Sequence, residues 1–245
     1  MAVIEAALSG DGSTAAVGYS DDVLEGYRWG IPEPIWHITI TGHPNVLAYS
    51  PRGDRLILGT SIGALYVLDP YTGETLSTFK ADNAISCIAF LDDYSKMAVG
   101  SNDGCVYIID LEDGSSSCMY RIEGAVKSIA YIRNGSILCV GGADRRFRAL
   151  NMDTGNELGS IKAGYWVTSI SSSEYGLIVF GAGNSLYMVR IAVGEGEEEH
   201  PSPMDHSGSP RGILIYGVIM VLLILAAATY LFMKRRRGRG GRSEP

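Results

Sequence analysis

Two arginines stand two residues apart in the stretch DRRFR, Asp144–Arg148. On a strand, side chains alternate between faces, so this spacing brings Arg146 and Arg148 to one side. Paired guanidinium groups there have the donors to hold a carboxylate or sulfate, and they equally suit a salt bridge to an acid of a neighbouring structural unit. A second candidate is the pair Tyr165-Trp166. Large rigid aromatics supply much of the contact energy where a partner docks, although Trp166 also suits packing between adjacent units. His43 and Asn102 lie in the turn-like stretches GHPN (Gly42–Asn45) and SNDG (Ser101–Gly104) and complete the candidate binding residues.

The other chemistry-bearing residues form no constellation. His37 and His43 lie near one another in sequence, His200 and His206 near one another far downstream, and neither pair has a third residue at ligand spacing. The four cysteines (Cys87, Cys105, Cys118 and Cys139) show no CxxC. Cys105 and Cys118 are placed either to face each other across a hairpin as a disulfide or to fill small buried apolar sites. There is no phosphate-cradling glycine loop and no GxSxG. The sequence therefore predicts no metal, no cofactor and no catalytic residue.

Charge narrows the partners. The chain has 245 residues and a net charge of −7, but six basic side chains crowd into 234–242 (KRRRGRGGR). Without that tail, residues 1–233 carry a net −12, and such a body repels nucleic acid phosphates.

The elements that must position the candidates repeat. Gly18, Gly59, Gly100, Gly141 and Gly181 stand 41, 41, 41 and 40 residues apart, each closing an apolar run. Asp69, Asp110 and Asn151 form a second column, and Gly73, Gly114 and Gly155 a third. In the copy that holds Gly100, four strands are expected at 85–90, 96–100, 105–109 and about 116–122, separated by NDG- and EDG-type turns. A four-stranded unit of this size cannot bury both faces alone, and radial stacking on its neighbours solves the problem.

Over roughly residues 2–193 the chain resembles the WD-repeat and quinoprotein-type (pyrroloquinoline-quinone-like) propeller families, in the divergent form of archaeal and bacterial surface proteins. The resemblance is carried by ALSGDGSTAAVG (Ala7–Gly18), YSPRGDRLILG (Tyr49–Gly59), DPYTGE (Asp69–Glu74) and MDTGNEL (Met152–Leu158). It implies an all-β propeller with 1–193 as the repeat domain; about five blades can be counted, and the last is short of its fourth strand because GEGEEEHPSP follows its third. Where WD-repeats end the third strand in Trp-Asp, this chain has Leu68-Asp69, Ile109-Asp110 and Leu150-Asn151. Where quinoprotein repeats dock a Trp on the next blade, it has Trp36, Ser77, Cys118 and Gly159. In propellers, the loops joining one blade to the next and the turns joining second to third strands share one face. Partners usually dock there, and the candidate loops belong to it.

Residues 213–233 carry no charge, and 21 helical residues at about 1.5 Å each span roughly the 30 Å of a bilayer interior. A single C-terminal transmembrane helix (212–233) is expected, preceded by an acidic, Pro/Ser-rich stalk (194–211) and followed by a basic tail (234–245). The stalk run EGEEEH (Glu195–His200) reads as a solvated spacer. Basic residues favour the cytoplasmic side, which places the propeller outside. The sequon Asn134-Gly135-Ser136 suits that side, but MAVIEAALSGDG has no features of an export signal. Either a leader lies upstream of Met1, or the propeller is cytoplasmic against the charge rule. The leading expectation is a non-catalytic scaffold at the cell envelope that binds protein or glycan. The alternatives are a quinoprotein-like enzyme and a cytoplasm-facing scaffold for assembly or signalling.

Overall fold

A carboxylate or amide closes the turn of each central repeat. Asp69 Oδ1 accepts from the Tyr71 and Thr72 amides at 2.8 and 3.0 Å, Asp110 Oδ1 from Glu112 N at 2.9 Å, and Asn151 Oδ1 from Thr154 N at 2.8 Å. The chain then turns through Gly73, Gly114 and Gly155, at φ of 72°, 72° and 70°, a region only glycine enters without cost. Two of the sequence columns are thus one turn, made three times.

The computed structural model describes residues 2–191 apart from 92, 93, 134 and 174, so Asn134 and the expected stalk, membrane segment and tail lie outside the described residues. Nineteen strands form five antiparallel sheets. The first holds β1 (Val3–Leu8), β2 (Thr14–Tyr19), β3 (Val23–Arg28) and β4 (Trp36–Thr39). The second holds β5 (Pro44–Tyr49), β6 (Leu56–Thr60), β7 (Ala64–Leu68) and β8 (Thr75–Lys80). In the third are β9 (Ile85–Phe90), β10 (Lys96–Ser101), β11 (Cys105–Asp110) and β12 (Ser116–Arg121), and in the fourth β13 (Val126–Ile132), β14 (Ile137–Gly142), β15 (Arg146–Asn151) and β16 (Glu157–Lys162). The fifth has three strands, β17 (Val167–Ser172), β18 (Leu177–Ala182) and β19 (Ser185–Arg190). Each sheet is a meander, and first strands contact first strands in the series β1, β5, β9, β13, β17. That is the stacking of propeller blades around an axis. Among the described residues no helix is long and apolar enough to cross a membrane.

The ruler glycines lie at the joints between blades. A Cβ on Gly59 would sit 2.4 Å from Ile85 Cγ2, on Gly100 2.6 Å from Val126 Cγ1, and on Gly141 2.4 Å from Val167 Cγ1. Gly18 meets Pro44 in the same way, at 2.8 Å. The second strand of each of the first four blades thus leaves a hole for the first residue of the next blade's inner strand, whereas Gly181 meets only Ser169 of its own blade.

Opposite the glycines stand Leu24, Leu65, Val106 and Phe147, all fully buried, whereas their counterpart Leu186 in the fifth blade is 58% exposed. The first blade leaves its other face open, where Leu8, Ala15, Tyr27 and Trp29 line a cleft of about 530 Å³.

Two blades carry extra fastening. Trp36 packs its ring against Gly26 and Gly73 and donates its indole N–H to Pro70 O at 2.9 Å, docking the first blade on the second. Cys105 and Cys118 form a disulfide across β11 and β12, so the hairpin pairing holds for these two. Cys87 and Cys139 are free thiols, and burial pushes them up to about 11 and about 12.

The joint itself is testable. Gly141→Ala is expected to cost about 1–3 kcal/mol in urea unfolding of the full chain, as overpacking does. Val167→Ala makes room for the new methyl, so the double variant should lose less than the sum of the singles. Strict additivity would mean that the Gly141–Val167 contact does not hold the blades.

Candidate functional site

The blade-to-blade loops and the β-turns between second and third strands meet on one face. His43 Nδ1 lies 2.6 Å from Asp22 Oδ1, Asp82 N donates to Asp103 Oδ2 at 3.2 Å, and Ser101 Oγ donates to Asn83 O at 3.0 Å. The first contact ties a turn to the loop that leaves its blade, and the other two tie a turn to the loop that enters its blade. His43 is thereby held beside Asp22, 60% exposed in its side chain, as a loop fastener.

The richest part of this face straddles the fourth and fifth blades. Tyr165 and Trp166, in the loop before β17, are 64% and 54% exposed, so Trp166 does not pack between blades. Together with Arg145, Gly164, Thr168 and Gly183 they line a cleft of about 410 Å³. The Tyr165 ring rests on Gly183, where a Cβ would meet it at 2.5 Å.

Lys127 extends from β13 to the same place. Its Nζ donates to Asn102 Oδ1 at 3.0 Å and lies 5.9 Å from the Trp166 ring centroid, a cation–π distance. The equivalent residues of the two preceding blades are shorter and behave differently. Asn45 Nδ2 donates to Ile85 O at 3.3 Å and Ser86 Oγ to Val126 O at 2.7 Å, each fastening the next blade's inner strand. In the fourth blade a lysine reaches past that carbonyl to the tryptophan.

The predicted arginine pair separates. Arg146 is exposed, with Nη1 at 3.5 Å from Ser160 Oγ. Arg148 is 8% exposed, pairs with Asp144 at 2.5 Å and lies 3.5 Å from Glu157, while Tyr120 of the third blade donates to Glu157 at 2.7 Å. Burial acts to lower Arg148, but the hydrogen bond and charge of Asp144 outweigh it and hold it above its usual value. Burial likewise acts to raise Glu157, but hydrogen bonds from Tyr120 and Ser160 and the charge of Arg148 hold it below the usual carboxylate range. The pair is therefore not one anion site. Arg148 is the centre of a buried ionic cluster at the third–fourth joint.

Of the six predicted residues, Asn102, Tyr165 and Trp166 come together, His43 is on the same face in another sector, and Arg146 and Arg148 belong to the flank of the fourth blade. Lys127 and Arg145 were not singled out from the sequence. Arg145 carried a readable signal, because the 41-residue period aligns it with Gly63 and Gly104. Among the described residues no group of three or more His, Cys, Asp or Glu is arranged to hold a metal ion.

Comparison with known proteins agrees with this architecture. Residues 73–110 match the family model described as WD domain, G-beta repeat. A chain of the crystal structure of the mitotic checkpoint complex superposes with a TM-score of 0.69 at 22% identity, covering 78% of this chain and 61% of that one. The computationally designed Ika8 protein superposes at 0.64 with 20% identity, covering 73% of this chain and 56% of its own. The chain thus spans about three fifths of the solved propeller it resembles. No curated protein matches it by sequence.

The ionic cluster makes a prediction that an exposed anion site would not. Arg148→Met strands the buried Asp144 carboxylate and should cost about 3–5 kcal/mol at neutral pH. In the wild type, Glu157 ionises more readily folded than unfolded, so its contribution is present above the usual carboxylate pKa and is lost as pH falls through the depressed value. Urea midpoints between pH 3 and 7 should therefore fall less steeply in Arg148→Met than in the wild type. A variant of wild-type stability would overturn the structural role.

Proposed function

We propose that this chain is a non-catalytic propeller scaffold that binds a protein partner on the loop face around Trp166 and is held at a membrane by residues 213–233. The observation that carries it is the exposed Tyr165-Trp166 pair over a cleft on the face where turns and blade-to-blade loops converge. Aromatic side chains standing in water beside such a cleft are the usual anchors of an interface. The WD-repeat match over 73–110 and the propeller likeness support a binding module.

The path of the last strand supports an outward-directed face. β19 starts beside Gly183 in the cleft and ends on the opposite rim, where Ile191 N donates to Gly176 O at 2.8 Å. A chain leaving there for the bilayer would turn the Trp166 face away from it. The Cys105–Cys118 disulfide favours an oxidising compartment and the basic tail favours the cytoplasm, and both support the reading of an external propeller.

Two measurements on the full chain in its native membrane test this. A photo-crosslinking residue at position 166 should give one discrete protein adduct that is lost in Tyr165→Ala, while the same probe at Tyr175 on the opposite rim gives none. Adducts at 175 alone, or at neither position, would remove the proposed face. External protease should destroy the propeller and spare a tag after Pro245; a protected propeller would move the scaffold to the cytoplasm.

A further inference from the structure

Arg145 occupies a position that the fold reserves for residues tolerating a left-handed backbone. The corresponding positions, 41 residues apart, have Asp22 at φ 63°, Gly63 at 86° and Gly104 at 87°, and Arg145 adopts 63°. Asp enters this region with modest strain and glycine with none, but a long side chain does so at a cost. The turn is pinned there by backbone bonds from Arg145 N to Gly142 O at 3.2 Å and from Ala163 N to Arg145 O at 2.7 Å. Strain of a long side chain at a position where two sister copies have glycine and one has aspartate calls for a compensating use.

No intramolecular use is found among the described residues. The neighbouring carboxylate, Asp144, is taken by Arg148 and by the Arg146 amide. The Arg145 side chain is exposed and lines the cleft with Tyr165, Trp166 and Thr168. Lys127 approaches the same indole from the inner strand. One cation thus shares the cleft lining with the exposed tryptophan and a second approaches its ring, on a body whose net charge, without the tail, is −12. A local basic spot on an acidic protein selects a partner of opposite charge and rejects most of the protein's own kind.

We infer that the Trp166 cleft recognises a short acidic peptide segment, one that places a carboxylate between Arg145 and Lys127 and an apolar or aromatic neighbour against Tyr165 and Trp166. The inference rests on the loop-face reading and specifies the chemistry of its partner. Arg145 forks onto the carboxylate, where a guanidinium can donate two hydrogen bonds. Lys127 adds charge without needing to leave Asn102. Thr168, exposed in the lining of the same cleft, offers a hydroxyl to a peptide carbonyl or amide.

The test uses the full chain in detergent micelles and two fluorescein-labelled peptides, one centred on Phe-Glu-Phe and one on Phe-Gln-Phe. The Glu peptide should bind at least tenfold more tightly by fluorescence anisotropy, with the difference shrinking as salt rises. Arg145→Gly restores the residue that the second and third blades use, so it should fold with an unchanged or higher melting temperature. It should erase most of the Glu/Gln discrimination while leaving the Gln peptide unaffected. Trp166→Ala should weaken both peptides.

Equal binding of Glu and Gln peptides, or discrimination that survives Arg145→Gly, would overturn the acidic specificity. Displacement of the Glu peptide by inorganic phosphate at equal concentration would replace the peptide with a simple anion and also overturn it. If the crosslink at 166 persists in those cases, the loop face stands and only its chemistry is wrong. If the crosslink is absent as well, both readings fall.

Discussion

The structure depends on a hole that only glycine leaves open. At Gly59, Gly100 and Gly141 the second strand of one blade comes so close to the inner strand of the next that any side chain would overlap Ile85, Val126 or Val167. None of these three glycines has positive φ, so close approach rather than backbone freedom explains them. The joint couples two periodicities: a glycine every 41 residues, and a partner column of Pro44, Ile85, Val126 and Val167 spaced likewise. Around it the flanking apolar side chains are buried completely, and burial at about 25 cal/mol per Å² is what holds sheets that share no hydrogen-bonded edge.

That constraint reaches the candidate site directly. Val167 fills the Gly141 hole, and Trp166 is the residue before it. The direction in which the indole leaves the ring is therefore fixed by the tightest contact in the joint. Lys127 follows Val126, the matching anchor one blade earlier, so the cation and the aromatic ring each start next to an anchored residue, one after it in sequence and the other before it. Their 5.9 Å approach results from two copies of one joint placed side by side. Precision of this kind comes from rigid elements, even though the side chains themselves sit in loops and strand ends.

Much of this architecture was legible because it repeats. The strands expected at 85–90 and 105–109 are β9 and nearly all of β11, and the turn columns ended where Asp69, Asp110 and Asn151 close them. Strand alternation puts Arg146 and Arg148 on one side, but alternation gives a face and not a depth. At the middle of a blade Arg148 meets Tyr120 of the neighbour and is buried; two residues nearer the rim Arg146 is in water. The disulfide was open for a related reason: in the register Cys118 lies opposite Tyr107, not Cys105, and a bulge between Val106 and Tyr107 brings the sulfurs together. Lys127 was hidden because its column is polar in the second to fifth copies, with Asn45, Ser86 and Thr168 beside it, and only its reach distinguishes it.

Departures from a repeat are more informative than the repeat itself, provided each is weighed against what its column requires. The Trp column keeps one member, Trp36, and the structure accounts for it through Gly26, Gly73 and Pro70. The Asp turn column admits Asn151, whose amide oxygen accepts the same hydrogen bond as the carboxylates do. Phe147 replaces leucine and valine in the buried column and stacks on Phe180 at 4.7 Å, so the larger ring has a partner in the next blade. Each of these changes is compensated inside the molecule. Arg145 is different: it accepts backbone strain, points outward, and has no acid of its own among the described residues, while its neighbour Asp144 is committed to the joint. An uncompensated departure beside two exposed aromatics directs the search for its partner to the solvent side of the molecule.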